Sequence, residues 1–142
     1  MTSCAEKKFK DIAVGDRAEF EEAITAATIQ SFAELSGDYS PLHLDDAYAV
    51  ATPFGQRLAH GMIGGLFFSK LVGMYLPGKY ALYVKQSLIF RQPLFIGATV
   101  TVSGEVSAKS AATQTIEVAM KIVDKKSGAV ATEGLALVKV LA

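Results

Sequence analysis

The chain has one cysteine, no tryptophan, four prolines and two histidines in 142 residues, and each scarcity excludes something. A lone Cys4 cannot close an intramolecular disulfide, so no disulfide framework holds the fold, and the thiol is compatible with a reducing compartment. The four prolines are scattered and no Ser-rich or low-complexity tract accompanies them, which leaves no linker and no repeat. Neither sign of charge is in surplus. Fourteen Lys and Arg balance fourteen Asp and Glu, which argues against a general binder of nucleic acid or anionic membrane, since such affinity comes from excess cations. Long apolar runs are also missing: the most apolar stretch, Met62 to Phe68, is interrupted by glycines and stopped by Ser69-Lys70, far short of the ~20 residues a membrane span needs. The opening MTSCAEKKFK lacks an apolar h-region, so no signal peptide is expected and the protein is read as soluble and cytoplasmic.

What is present suffices for one domain over residues 1–142. At 51% apolar and 20% charged residues the composition is globular, and a chain of this length buries roughly two-thirds of its unfolded surface without a metal or disulfide staple. The sequence changes character once, near Pro77-Gly78. Before it, Arg17 to Glu21 alternates as an early strand, and Thr25 can cap a helix through Ile29, Phe32, Ala33 and Leu35 that Gly37 ends. Asp45 is a candidate cap for a short helix closed by Pro53. The segment Gly61 to Tyr75 reads as the longest helix, apolar nearly all round and therefore buried. After Pro77-Gly78, four strand-like runs follow: 81–90, 99–108, 113–123 and 130–140, with Asp124 to Gly128 as a hairpin loop. Tyr83, Lys85 and Ser87 alternate against Leu82, Val84 and Leu88. The fold expected is α+β, a curved antiparallel sheet wrapped around a long central apolar helix.

With two histidines, His43 and His60, few sites need weighing. Asp38 and His43 lie five residues apart; on a helix they would diverge by about 140° and on a strand they would face opposite sides. The Gly37 and Pro41 punctuation supplies a bend that lets both aim into one pocket, where a carboxylate and an imidazole hold a water and move its proton. The bland alternative is a turn-capping Asp beside a surface His. Asp45 and Asp46 next to His43 lack further convergent ligands, so no metal is expected. The second site, Ala59-His60-Gly61-Met62, opens the apolar helix, whose free N–H groups and dipole favour negative charge. Gly61, Gly65, Ser69 and Gly73 then form a small-residue strip, either for tight packing on a sheet or as a groove with Ser69 as its one hydroxyl. Gly64 and Gly65 weaken the helix by roughly 1 kcal/mol each, which suggests that the space is needed. Ser69 lacks the GxSxG context of a nucleophile. Lys79, Lys85 and Arg91 are candidate phosphate contacts or plain strand-edge cations.

Ser36-Gly37-Asp38-x-Ser40-Pro41-Leu42-His43-x-Asp45, followed by Ala59-His60-Gly61-Met62, resembles the hydratase-2 motif of the MaoC-like dehydratases, most closely the short single-domain (R)-specific enoyl-CoA hydratases. The resemblance extends to Val14-Gly15-Asp16 and to Gln86 through Gly97. It implies a hot-dog fold, a homodimer with continuous sheets or a higher homo-oligomer, and hydration of a trans-2-enoyl thioester to the (R)-3-hydroxyacyl thioester or the reverse dehydration. It also implies that Asp38 and His43 are the catalytic pair, that Ser69 supports them, and that the Gly61 N–H donates to the thioester oxygen. Ser40 stands where the family carries asparagine. His60, Met62, Gly65, Lys85 and Arg91 are further candidates for binding substrate, which is acyl-CoA or an acyl carrier protein thioester. Coenzyme A is then part of the substrate, and no separate cofactor, nucleic acid or membrane is implicated. Two alternatives stand beside this reading: a hot-dog acyl-CoA thioesterase, and a non-catalytic acyl-thioester binding module motivated by Ser40.

Overall fold

The helical half of the chain is set by its caps. In the computed structural model, which describes residues 3–142, the Thr25 hydroxyl accepts the Thr28 amide at 3.1 Å and starts α1, Ala26–Ser36. Gly37 ends it with φ 79°, a left-handed conformation that suits glycine. Two short helices follow, α2 at Pro41–Leu44 and α3 at Asp46–Val50. Asp45 caps α3 by accepting the Tyr48 amide at 3.0 Å, as expected from sequence.

The strand half pairs into one antiparallel sheet. Its strands are β1 Arg17–Ala23, β2 Ala81–Gln86, β3 Ile89–Phe90, β4 Thr99–Ser110, β5 Thr115–Asp124 and β6 Val130–Val140. The order is β1-β4-β5-β6-β2, and β3 continues along β6 beyond β2. Alternation along β4 and β5 puts Val100, Val102, Val106, Ile116, Val118, Met120 and Ile122 on the buried face. Against them lie Ile63, Phe67, Phe68, Leu71 and Val72 of the helical segment, in the same core cluster. Each such apolar side chain contributes roughly 1.5–3 kcal/mol on burial, so this helix-on-sheet layer carries the fold.

Two expected elements come out differently. The helix foreseen over 61–75 is a turn at Gly61-Met62, then α4, Ile63–Lys70, then a π-helical turn over Leu71–Tyr75 in which the Leu76 amide bonds back five residues to Leu71. The strand foreseen over 81–90 is interrupted at Ser87-Leu88, and a bulge lies between Tyr83 and Lys85. Its alternation gives no buried face in the single chain: Leu82, Tyr83, Val84 and Lys85 are all exposed. The Tyr83 hydroxyl donates to the Phe68 carbonyl at 3.2 Å and ties this edge to α4. Partial burial of the hydroxyl pushes its phenol up to about 12.

Glycines set the closest approaches. A Cβ at Gly64 would sit 3.2 Å from Ile122 Cδ1 and 3.3 Å from Thr132 Cγ2, so the glycine lets α4 lie directly on the sheet. A Cβ at Gly134 would run into the Ser87 carbonyl oxygen, a backbone atom with little room to yield. That crossing is pinned by the Leu135 amide donating to Ser87 Oγ at 2.9 Å. Gly134→Ala is expected to destabilise the protein by about 1–3 kcal/mol, the usual range for overpacking. Gly73→Ala, whose added Cβ meets open space, should be neutral or stabilising by up to about 1 kcal/mol. Urea unfolding of the two variants beside the wild type checks the contrast.

Candidate active site

The loop after α1 is folded by its own side chains. Ser36 Oγ accepts the Asp38 amide at 3.1 Å, and Asp38 Oδ1 accepts the Ser40 amide at 3.1 Å. Ser40 takes φ −54° and ψ 131°, the extended conformation that the following proline favours. The chain then turns once as α2, which carries His43. The expected bend is therefore present, with a helical turn added to it.

The two rings have defined proton positions. His43 Nδ1 lies 2.9 Å from the Leu58 carbonyl oxygen, and His60 Nε2 lies 3.0 Å from the Asp38 carbonyl oxygen. A carbonyl only accepts, so each of these nitrogens carries hydrogen. A neutral His43 consequently presents a lone pair at Nε2. The rings stack with centroids 4.0 Å apart, and Asp38 Oδ2 is 4.0 Å from His60 Nε2. One donor atom from each of Asp38, His43 and His60 falls within 4.8 Å of the others. Two imidazoles and a carboxylate are also the composition of a metal-binding set. Here one nitrogen of each ring already faces a backbone carbonyl and His60 Nδ1 is sealed without a partner. His43 Nε2 and the Asp38 carboxylate are left for chemistry, an arrangement that suits proton transfer.

Beside the dyad lies a cavity of about 300 Å³, walled by His43, His60, Gly61, Phe90, Leu94 and Thr132 among others. α4 opens onto it without a side-chain cap at Met62, and among the described residues the Gly61 N–H has no acceptor. A Cβ at Gly61 would come within 3.2 Å of the Phe90 ring, so glycine keeps the helix start open where the wall is closest.

The residues expected from sequence divide into two groups. Asp38, Ser40, His43, His60 and Gly61 are brought together at the cavity or its supporting loop, and Arg91 reaches the wall while paired to Glu133 at 2.6 Å. Met62, Gly65, Ser69 and Lys85 do not line the cavity of the single chain. Met62, Ser69 and Lys85 are exposed, and Gly65 packs toward Leu88. Of the small-residue strip, Gly61 and Gly65 thus face the Leu88–Phe90 segment rather than an empty groove. Sequence reasoning missed Leu58, Phe90, Gln92, Pro93, Leu94 and Thr132 as wall residues. The polar interruption Arg91-Gln92-Pro93 in an apolar strand pattern was the available signal for part of that wall.

Comparison with known proteins agrees with this geometry. The MaoC like domain family model matches residues 11–127. The chain is 40% identical over 134 residues to an (R)-specific enoyl-CoA hydratase of Aeromonas caviae, covering 92% of this chain and 96% of that protein. It is 44% identical over 121 residues to an (R)-specific enoyl-CoA hydratase of Rhodospirillum rubrum, covering 81% and 84%. The solved (R)-hydratase from A. caviae involved in PHA biosynthesis superposes with a TM-score of 0.89 at 39% identity, over 92% of this chain and 98% of that one. The antiparallel sheet around α4 is accordingly the hot-dog architecture of these hydratases. By a domain match over most of its length, and by relatives of this identity and coverage, the chain belongs to the MaoC-like dehydratase family.

Proposed function

We infer that this protein is a lyase that adds water to trans-2-enoyl-CoA to give (R)-3-hydroxyacyl-CoA, and runs the reverse dehydration. The observation that carries this reading is the placement of a free imidazole nitrogen and a carboxylate beside an uncapped helix start on an apolar cavity. Water attacks the β-carbon only as negative charge moves onto the thioester oxygen. The Gly61 N–H, without an acceptor at the positive end of α4 and in the cavity wall, is the donor we assign to that charge, where a preorganised donor contributes several kcal/mol. His43 Nε2, with Nδ1–H held by Leu58, takes the proton from the attacking water, and Asp38 orients that water. Hydroxide adds to the β-carbon, the proton passes through the dyad to the α-carbon, and the site returns to its starting state. The atoms balance with water and the two side chains alone, and the proposed reaction uses no cofactor beyond the coenzyme A of the substrate.

Ser40 supports the loop through its backbone amide. Arg91, which donates twice to an exposed Glu133 at 3.2 and 2.6 Å, is the cation in the cavity wall for a phosphate of coenzyme A or an acyl carrier protein arm. The one thiol, Cys4, is unpaired and donates to the Gly73 carbonyl at 3.2 Å, which suits a cytoplasmic setting. Among the described residues no helix is long and apolar enough to cross a membrane.

The functional unit we propose is a homodimer. β2 and β3 form an open edge of the sheet, and Leu82, Val84, Ile89, Phe90 and Leu135 are all exposed along it. An apolar edge of this kind is a template for another strand, and a second copy presents the same surface. Phe90 belongs both to this edge and to the cavity wall, so pairing there would extend the wall. Lys85, on the same edge strand, would then meet the partner rather than open solvent.

Asp38→Asn and His43→Ala should each lower kcat for crotonyl-CoA hydration by about 10²–10⁴-fold while the far-UV spectrum stays native; wild-type turnover in either removes the dyad. A parallel thiol titration should stay flat, whereas release of coenzyme A would establish the thioesterase reading instead. Val84→Lys is expected to convert a dimer into a monomer in light scattering and to lower activity with it; an unchanged mass would move the interface elsewhere.

A further inference from the structure

We propose that His60 is a positioning residue of the water site, acting through Asp38 and His43 rather than on the substrate. The inference rests on the hydratase reading above, and it departs from the sequence expectation that His60 contacts substrate. The ring is only 3% exposed. Its Nε2–H is spent on the Asp38 carbonyl oxygen at 3.0 Å, which leaves Nδ1 as a lone-pair acceptor, sealed from solvent with no partner. Such an orphan is unfavourable, and a phenylalanine or leucine would fill the space without it. The imidazole must therefore contribute something that an apolar side chain lacks.

It contributes a donor, which phenylalanine and leucine both lack, together with a ring face, which leucine lacks. The donor fixes the main chain of Asp38 at the same residue whose Oδ1 is already held by the Ser40 amide. Only Oδ2 then remains free, 4.0 Å from His60 Nε2. The face fixes His43: His60 lies between the His43 ring, with centroids 4.0 Å apart, and the Phe32 ring, with centroids 4.5 Å apart. Phe32 comes from α1, His43 from α2 and His60 from the turn before α4. One side chain thus sets the separation of the two groups that must share a water molecule. Reactions of this kind tolerate little misplacement, and an error of about 1 Å costs on the order of 10²-fold in rate.

Two substitutions separate the donor from the face. His60→Phe keeps an aromatic ring against His43 and removes the donor; His60→Gln keeps an N–H and removes the ring. Folded His60→Phe should lose about 10- to 100-fold in kcat for crotonyl-CoA with KM within about threefold, and His60→Gln should recover part of that loss. Retention of kcat within about twofold by folded His60→Phe, or a loss confined to KM, overturns the proposal. Long-range ¹⁵N–¹H NMR of the wild type gives a readout that needs neither turnover nor a variant. With only two histidines in the chain, His43 should show its proton on Nδ1 and His60 on Nε2. A His60 proton on Nδ1 overturns the proposal even in an active enzyme. An inactive wild type with the expected pattern overturns the hydratase reading and leaves the His60 geometry standing.

Discussion

The Leu58 carbonyl oxygen, 2.9 Å from His43 Nδ1, is the contact on which the rest of the site depends, because it decides which nitrogen of the ring faces the cavity. Four consecutive residues around it act as a strap. Arg57 donates to the Leu44 carbonyl at 3.2 Å and lies 3.1 Å from Asp46 Oδ1, holding the end of α2 against α3. Leu58 accepts from His43 and its own amide donates to the Leu42 carbonyl at 3.2 Å. Ala59 donates to the Leu94 carbonyl at 2.7 Å, which ties the strap to the cavity wall. His60 then reaches the Asp38 carbonyl. The strap gains its precision from main-chain partners, which have few conformations of their own once the neighbouring elements are packed.

Balanced charge acquires a local meaning in this setting. The cavity wall is mostly apolar, so the few dipoles aimed into it act in a low dielectric. In the proposed reaction one N–H at the start of α4 and one imidazole supply the polarity from the wall, with the half-exposed Asp38 carboxylate beside them, and a surplus of charge over the whole chain would add nothing to it. The remainder of the wall is mostly apolar, and its one cation among the described residues, Arg91, is partly neutralised by Glu133.

Elements set by neighbours in the chain were legible in the sequence, and those set by distant contacts were not. The Thr25 and Asp45 caps, the Gly37 stop, the hairpin at 124–128 and the β6 boundaries depend on residues a few positions apart, and each was readable. The pairing of Asp38 with His43 was readable because glycine and proline mark a bend. By contrast, β2 is exposed on both faces while β1, at the other edge of the sheet, keeps its alternation, a difference in what packs over each edge that the sequence pattern does not specify. The crossing of Ser87 over Gly134 joins residues far apart in sequence, as does the docking of His43 on Leu58. His60 illustrates the same limit: its motif marked it as functional, and only its burial shows that it faces the loop.

Ser40 shows why a departure from a family motif need not be a departure from its chemistry. Asparagine at this position would bring a carboxamide to the loop, and its replacement raised the alternative of a binding module. The bond that shapes the loop, however, runs from the backbone amide of residue 40 to Asp38 Oδ1, and the Ser40 side chain makes no capping bond. Any residue except proline carries that amide. What the position does require is an extended conformation ahead of Pro41, which serine adopts without strain. Asp38 therefore keeps its orientation through a main-chain contact that the substitution leaves intact. The geometry of the dyad rests on the backbone path from Gly37 to Leu58 and on the His60 ring packed against it, and the side chain at position 40 is secondary to both.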